Sequence, residues 1–281
     1  MAYDKIEKVF GSTIQHGNLS KRAYLMKLAE GDYSKVISFL DNLCQENKYT
    51  KIFAKIPESA IDLFKLSGYE QEAMIPWFFN GQNKAVFLAK YFSKNRSFDP
   101  RQREIEEVLK GSISNSKNKV FSERDSDISV EVARPCDVGQ ISAVYEKIFK
   151  SYPFPIHNPR YLLDTMQTHI RYYLIRRKGE IAALSSAEID REAKAVEMTD
   201  FATLPVHRGH GLGSRLLENM EYEMAKEGII TSYTIARAFS YGINTIFAKR
   251  NYIYSGTLIN NTNIAGNIES MNVWYKRINM K

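Results

Sequence analysis

The chain of 281 residues lacks several features that mark specialised classes of protein. Its two cysteines, Cys44 and Cys136, are too few for a disulfide framework or a four-cysteine zinc site. No stretch approaches the ~18 apolar residues of a membrane-spanning helix, and the opening MAYDKIEKVFG has no apolar run behind a basic start. These absences predict free thiols in a reducing compartment, no metal, no membrane partner and a soluble, cytoplasmic protein.

Charge of one sign is also modest. The net charge is +7 and is spread along the chain, unlike the dense basic stripe of a nucleic-acid-binding protein. We therefore expect no nucleic-acid partner, although an anionic ligand such as a phosphorylated cofactor would suit the balance. Hydrophobic residues at 44% and charged residues at 25% are ordinary globular values, and the length predicts about two domains.

Three blocks follow one another along the chain. Residues 1–92 alternate between strand and helix patterns, residues 93–127 are charged and polar, and residues 128–281 return to dense alternation. The middle block predicts a solvated linker with one short helix over REIEEVLK. The last block predicts a strand, two helices, three strands, a helix, a strand, a helix and two strands, with NNTNIAGN as a polar loop. This order implies a mixed, mostly antiparallel α/β sheet with helices on both faces.

The first block repeats part of the last. The segment YTKIFAKIPESAIDLFKLSGY can be laid on SYTIARAFSYGINTIFAKRNY, which places Ala54 on Ala236, Lys55 on Arg237 and FKLSGY on FAKRNY. The alignment needs a gap and has few identities, so chance similarity is the alternative. If the repeat is real, the first block is a partial copy without a glycine-rich turn. We then expect it to bind no cofactor and either to pack against the site or to close over it.

The turn LPVHRGHGLGS, residues 204–214, has the clearest chemistry. A strand ends in proline, three alternating glycines follow, and a helix begins. Glycine lets the backbone approach a ligand closely, and the first N–H groups of a helix carry the positive end of its dipole. Together they predict a pyrophosphate site. A Rossmann site would need an acidic end to the next strand, and a P-loop would need Gly-Lys-Ser/Thr; neither is present.

The spacing Arg208-x-x-Gly211-x-Gly213 resembles the acetyl-CoA signature of the GNAT superfamily of N-acetyltransferases. EMTDFATLPVHRGHGLGSRLLENME and, in the first block, RAYLMKLA and YTKIFAKIPES resemble the β-lysine N-acetyltransferases. Those enzymes make N(ε)-acetyl-β-lysine, a compatible solute in osmoadaptation. The resemblance implies a GNAT domain at 128–281, a partial GNAT-like α/β domain at 1–92, acetyl-CoA as co-substrate and a small amine as acceptor. Because GNAT domains often pair, a homodimer is possible.

The resemblance also implies a set of contacts to acetyl-CoA. The pantetheine arm would lie along one strand of a splayed sheet, the pyrophosphate would lie on the turn, and a backbone N–H near Thr203 would meet the oxyanion. These contacts would come from Phe201, Ala202, Thr203, Arg208, Gly209, His210, Gly211, Leu212, Gly213, Ser214, Ser240 and Phe247. Arg208 either contacts a phosphate or caps the loop, and His207 and His210 are expected to be exposed loop residues rather than catalysts.

Transfer to an amine needs the neutral amine, yet a lysine-type amine with a pKa of ~10.4 is almost fully protonated at pH 7. Asp200 and Glu197 lie on the strand beside the expected thioester, and a spacing of three predicts that they point to opposite faces. We expect Asp200 to bind the substrate ammonium and Glu197 to be the rival base; solvated or salt-bridged residues are the alternative. Phe247 stands where many GNAT enzymes have the tyrosine that protonates the thiolate, so Tyr241 or water takes that role, or the thiolate leaves unaided.

An amino-acid substrate also needs a partner for its carboxylate. Arg237 ends a strand beside the expected pocket and is either a bidentate clamp or half of a surface ion pair. Asn244 and Asn261 offer donors and acceptors at the same end. Tyr152 and Phe154 either build the substrate wall or belong to the ordinary core. A polyamine site would not need the clamp, so the alternatives are another small amine or a non-catalytic acyl-CoA sensor.

Overall fold

The structure, a computed structural model, describes residues 3–116 and 128–278. The first part contains strands β1 (Lys5–Val9), β2 (Ser12–Gly17), β3 (Arg22–Lys27), β4 (Lys51–Pro57), β5 (Glu70–Phe79) and β6 (Asn83–Tyr91), and helices α1 (Tyr33–Glu46), α2 (Ile61–Leu66) and α3 (Gln102–Ser116). The six strands form one sheet in the order β1-β2-β3-β4-β6-β5. Strands β3 and β4 run parallel, and α1 connects them.

The second part contains a seven-stranded sheet. Its strands are β7 (Glu131–Val132), β8 (Ile170–Arg177), β9 (Glu180–Asp190), β10 (Ala195–Thr203), β11 (Thr231–Arg237), β12 (Ile253–Ile264) and β13 (Asn267–Arg277), and its helices are α4 (Val138–Ile148), α5 (Pro159–Met166), α6 (Leu212–Lys226) and α7 (Tyr241–Lys249). The order is β12-β13-β11-β10-β9-β8-β7, with β10 and β11 parallel and their outer neighbours antiparallel. Helices α6 and α7 pack on one face, and α4 and α5 on the other. The predicted mixed sheet is confirmed.

The repeat detected in the sequence extends over six strands. In space, β1-β2-β3-β4-β6-β5 corresponds strand for strand to β8-β9-β10-β11-β13-β12. The matched aromatic pairs have the same geometry: the rings of Phe64 and Tyr69 are 5.0 Å apart at 71°, and those of Phe247 and Tyr252 are 4.9 Å apart at 78°. Topology and local packing therefore agree between the two halves, and the N-terminal half lacks the glycine-rich turn.

The two sheets share a hydrophobic core. Alternation along β4 turns Ile52 and Ala54 toward α1 and α2, and turns Phe53 toward the C-terminal sheet. That face joins residues of α4, α5 and the C-terminal strands in one cluster. Polar contacts support the junction, since the buried Lys51 ammonium pairs with Glu72 at 2.8 Å and also donates to the Ile259 carbonyl at 2.8 Å.

The predicted solvated linker at 93–127 is wrong for its first half. Arg96 and Asp99 are 6% and 2% exposed, and they bond to Ser20 and Ser270 respectively. The predicted short helix is 15 residues long as α3, and it packs against α7. Charge alone suggested exposure, but both side chains have hydrogen-bond partners elsewhere in the fold. Residues 117–127 lie outside the described residues.

Two further boundaries differ from the prediction. Strand β12 continues to Ile264 through most of the segment that was expected to be a polar loop. Its polar side chains face the junction with the N-terminal part: Asn260 donates to the carbonyls of Arg96 and Phe98. The strand expected before α4 shortens to Glu131–Val132 at the sheet edge. Polarity along β12 thus reflects partners on another part of the chain.

Candidate active site

Strands β10 and β11 separate partway along their length. They pair in parallel from Ala195 to Glu197, after which the edge of β10 that faces β11 has no ladder partner among the described strands. The gap opens into the splay cavity, a space of about 730 Å³ lined by both strands, the glycine-rich turn and the start of α7. The backbone of β10 that was expected to hold a pantetheine arm forms one wall.

The glycine-rich turn brings free backbone donors to this cavity. Gly209 and Gly211 have φ values of 81° and 73°, a region that glycine enters without a steric penalty. Gly211 is the N-cap of α6 and has no side chain to accept from the first N–H groups. A Cβ on Gly213 would approach the Ile246 Cδ1 atom to 2.6 Å, so this glycine also lets α6 and α7 pack closely. The turn is therefore shaped for an anion.

Most of the predicted acetyl-CoA residues line the splay cavity. They are Phe201, Thr203, Arg208, Gly209, Gly211, Leu212, Gly213, Ser214 and Ser240. Ala202 is buried in the core, and His210 is exposed on the turn. The Arg208 Nε donates to the Thr203 carbonyl at 3.3 Å, which favours the loop-capping role. His207, expected to be an exposed loop residue, is half-buried in the cavity wall.

A β-bulge changes the direction of side chains in β10. The register with β9 shifts between Thr199 and Ala202, and Asp200 has a φ of 56°, which is uncommon for a residue other than glycine. The expectation that Asp200 and Glu197 point to opposite faces is therefore wrong. Both line a second space, whereas Met198 packs in the core under α6.

This second space, the interdomain cavity, lies between the two sheets. Arg22 and Tyr24 of β3 and Phe53 and Lys55 of β4 form one wall. The C-terminal part supplies the remaining wall, which includes Tyr152, Phe154, Glu188, Glu197, Asp200, Tyr233, Asn261 and Thr262. The two cavities share Tyr152, Thr199, Asp200, Ile235, Ile264 and Met271. They therefore meet at the bulge, where the sheet opens.

Three titratable side chains form a row across the C-terminal sheet. Glu197 lies directly opposite Glu188 on β9 and beside Tyr233 on β11. Burial raises the pKa of both Glu197 and Glu188. The Glu188 carboxylate raises the pKa of Glu197 further, and the Asp200 and Asp190 carboxylates raise that of Glu188. Lys55 opposes this rise in both pKa values, and its ammonium is 3.5 Å from the Tyr233 hydroxyl. Like charges on directly opposed residues destabilise a sheet, so this row indicates a functional site.

Asp200 is already held by hydrogen bonds. Tyr152 donates to its Oδ1 atom, Ser186 donates to Oδ2 at 2.5 Å, and Thr199 donates to Oδ1 at 3.4 Å. Burial raises the pKa of Asp200, while these three hydrogen bonds lower it. Because both oxygens accept from the protein, Asp200 is better placed to orient Tyr152 than to be the primary partner of a substrate ammonium.

Tyr241 does not face either cavity. It begins α7, and its hydroxyl accepts from the Asn115 side chain and donates to the Gly111 carbonyl at 3.5 Å, both on α3. The structure thus argues against its predicted acid role. Phe247, predicted to contact acetyl-CoA, is fully buried between Phe201 and Tyr252. The prediction for Tyr241 failed to include α3, because the sequence of this helix is typical of a solvated linker.

Two of the predicted substrate residues are occupied by the protein itself. Arg237 reaches the splay cavity, but its guanidinium makes a bidentate pair with Glu269 at 2.8 Å. Asn244 is fully buried: its amide donates to the carbonyls of Arg237 and Ser240, and its oxygen accepts from Asn272 and Trp274. Tyr152, Phe154 and Asn261 do line the interdomain cavity.

Sequence reasoning did not find the residues of the N-terminal wall, nor Glu188 and Tyr233. One signal was available, since the repeat had placed Lys55 on Arg237, a residue already proposed to hold a carboxylate. The remaining residues become neighbours through strand register and sheet packing, which composition and motifs do not reveal.

The described parts of the chain add two observations. In residues 3–116 and 128–278, no three His, Cys, Asp or Glu side chains come together as a metal site. No helix within these ranges is long and apolar enough to cross a membrane.

Comparison with known proteins agrees with this geometry. Residues 141–241 match the model of the acetyltransferase (GNAT) family. A β-lysine N(6)-acetyltransferase of Methanococcus maripaludis is 41% identical over 273 residues, covering 97% of this chain and 98% of that protein. The N-acetyltransferase YodP of Bacillus subtilis is 30% identical, covering 95% and 96%, and a β-lysine N(6)-acetyltransferase of Methanosarcina mazei is 27% identical, covering 88% and 98%. The chain belongs to the GNAT family of N-acetyltransferases, which transfer the acetyl group of acetyl-CoA to an amine.

Proposed function

We propose that this protein transfers the acetyl group of acetyl-CoA to the N6 amine of β-lysine. The observation that carries the proposal is the meeting of the two cavities at the bulge of β10. One cavity offers an anion-binding turn, and the other offers carboxylates and cations for a charged amino acid. The activity named for two relatives over nearly the whole chain supports the choice of acceptor.

The splay cavity fits acetyl-CoA. The backbone of residues 209–214 would hold the pyrophosphate, because the N-cap glycine leaves the first N–H groups of α6 without a side-chain acceptor. The open edge of β10 at Phe201 and Thr203 would hold the pantetheine arm. Acetyl-CoA supplies an acetyl thioester whose carbonyl carbon accepts the amine nitrogen as the carbon–sulfur bond breaks. The thiolate then takes up a proton, and CoA leaves as the thiol.

Glu197 is the proposed acceptor of the proton that the substrate ammonium must lose. A base is most effective when its pKa lies near the working pH, and burial and Glu188 move the pKa of Glu197 upward from that of a free glutamate. Lys55 limits this rise, so that a fraction of the carboxyl remains ionised at neutral pH. Asp200 is a positioning residue, since its carboxylate holds the Tyr152 hydroxyl at the junction of the cavities.

The interdomain cavity suits an acceptor that carries both positive and negative charges. Its wall carries three carboxyl groups, on Glu188, Glu197 and Asp200, and two cations, on Arg22 and Lys55. β-Lysine has two ammonium groups and one carboxylate, so its charges complement this wall. A polyamine would leave the cations without a partner. Both cysteines of the chain are free thiols, which suits the reducing cytoplasm that we propose as its location.

The test is release of CoA from acetyl-CoA with β-lysine, α-lysine, spermidine or no acceptor, measured in parallel with a thiol reagent. We expect strong release with β-lysine, weak release with α-lysine and background release otherwise. Equal release with spermidine would replace β-lysine by a polyamine. Tight binding of acetyl-CoA without release for any acceptor would overturn the enzymatic proposal and favour an acyl-CoA sensor.

A further inference from the structure

Three buried polar atoms of the interdomain cavity have no hydrogen-bond partner. They are the Arg22 Nε, the Asn261 Oδ1 and the Thr262 Oγ1, on residues that are 4%, 2% and 5% exposed. A buried donor or acceptor that is left unpaired destabilises the fold, so such atoms point to a bound group that would pair with them. The three belong together, because an Arg22 Nη1–H donates to the Asn261 carbonyl at 3.0 Å.

Arg22 also lacks a charged partner. Its second terminal nitrogen donates to the Gln15 side chain at 3.4 Å, and no carboxylate of the described residues makes an ion pair with it. The guanidinium carbon lies 5.1 Å from the Tyr24 ring centroid and 5.6 Å from that of Phe53, so two aromatic rings hold it in the cavity wall. Burial lowers the pKa of Arg22 to about 10, which leaves it cationic at neutral pH.

We propose that Arg22 binds the carboxylate of the acceptor, and that Asn261 and Thr262 bind its second ammonium group. The inference rests on the proposed function and assigns the part of the cavity that recognises the amino-acid end of the substrate. A free N–H donor beside two free oxygen acceptors complements a carboxylate beside an ammonium, as in a β-amino acid. This gives the N-terminal sheet a direct part in acceptor selection, through a residue on β3.

We therefore assign the carboxylate-binding role that was predicted for Arg237 to Arg22, in the N-terminal half of the chain. Arg237 is bound by Glu269, whereas Arg22 has only neutral hydrogen-bond partners among the described residues. Arg96 provides a matched comparison. It is a second buried arginine with an unpaired Nε, and it donates to the same Asn261 carbonyl at 3.3 Å, but it does not line the cavity.

The experiment compares three acceptors in steady-state CoA release. β-Lysine carries all three charged groups, pentane-1,4-diamine is β-lysine without its carboxylate, and 6-aminohexanoate is β-lysine without its second amine. We expect Arg22→Gln to lower kcat/KM for β-lysine by roughly 10- to 100-fold and to change kcat/KM for pentane-1,4-diamine by less than about threefold. The kcat/KM of Arg22→Lys for β-lysine should lie between those of the wild type and Arg22→Gln, because lysine keeps the charge but loses the planar guanidinium.

Asn261→Ala tests the other half of the proposal. It should lower kcat/KM for β-lysine by roughly 10-fold, with a smaller effect on 6-aminohexanoate. Arg96→Gln is the control, and it should leave the ratio of β-lysine to pentane-1,4-diamine unchanged, whatever it does to stability. An unchanged ratio in Arg22→Gln would overturn the assignment.

If Arg22→Gln does not fold, the inference is tested by comparing the kcat/KM values of the wild-type protein for the same acceptors. Equal kcat/KM for β-lysine and pentane-1,4-diamine would show that no residue recognises the carboxylate, and would overturn the inference while leaving acetyl transfer intact. Absence of CoA release with every acceptor would instead contradict the proposed function itself.

Discussion

The N-terminal and C-terminal sheets have the same strand order, but the helices that connect their parallel strands begin differently. Helix α1 has Asp32 as its N-cap, and that carboxylate accepts from the N–H groups of Ser34 and Lys35. Helix α6 has Gly211 as its N-cap and no side-chain acceptor. One helix start is satisfied from within the chain, and the other is left for an external anion. On the proposed function, this difference in capping distinguishes the helix start that would hold a pyrophosphate from the one that is capped within the chain.

The sheets also differ in the charge that they present to the cavity between them. Register places Arg22 beside Lys51 in the N-terminal sheet and Glu197 beside Tyr233 in the C-terminal sheet. Laying Ala54 on Ala236, as the repeat does, aligns Lys51 with Tyr233 and therefore Arg22 with Glu197. Equivalent positions thus carry a cation in one half and a carboxylate in the other, and the two face the same space.

Exchanging the caps should have the largest effect. Gly211→Asp would give α6 a carboxylate like that of α1, in a backbone region that aspartate tolerates. We expect acetyl-CoA affinity to fall by roughly 100-fold or more, because the new charge occupies the anion site and repels a pyrophosphate. Calorimetric titration measures this. The control Asp32→Ala should cost about 1 kcal/mol in urea unfolding and leave the affinity unchanged; wild-type affinity in Gly211→Asp would refute the assignment.

Removing the Glu197 carboxylate from the interdomain cavity should have the next largest effect, on turnover. Glu197→Gln keeps the size of the side chain and abolishes its basicity, so kcat should fall by roughly 100-fold or more. Acetyl-CoA affinity should stay within about twofold, because the turn is untouched. A variant with normal kcat would exclude Glu197 as the base.

The pH profile sharpens the comparison of charges. The proposed base Glu197 must be ionised to accept a proton, so the rate should rise with pH through its raised pKa. Glu188→Gln removes a carboxylate that raises this pKa, and the rising limb should move to lower pH. Lys55→Met removes a cation that lowers it, and the limb should move to higher pH. If the pH profiles of kcat shifted in the same direction for both variants, Glu188 and Lys55 would not have opposite effects on the pKa of Glu197.

The smallest effect is expected at Tyr241. Its hydroxyl bonds to α3 rather than to a cavity residue, so Tyr241→Phe should change kcat by less than about twofold and stability by up to about 1 kcal/mol. Thiol release and thermal unfolding measure the two quantities. A large loss of kcat with normal stability would restore the acid role that the sequence had predicted.

Local patterns predicted the parts of this molecule that depend on neighbours in sequence. The glycine-rich turn could be recognised because the three glycines and the helix start are contiguous, and the sheet could be predicted because alternation shows in each strand. The bulge at Asp200 could not, since it depends on the register with β9. The partners of Arg237 and Asn244 could not be predicted either, because Glu269, Asn272 and Trp274 contact them from β13. The wall that β3 and β4 contribute to the interdomain cavity could not be predicted, because it depends on how the two sheets pack.

The division of labour between the two halves bears on how such a protein evolves. The N-terminal half contains no part of the turn at residues 209–214, and its strands β3 and β4 form one wall of the interdomain cavity. Substitutions there alter the chemistry of that wall without touching the phosphate turn. On the proposed function, the N-terminal half is thus a place where new acceptor preferences can arise while the binding of acetyl-CoA is preserved.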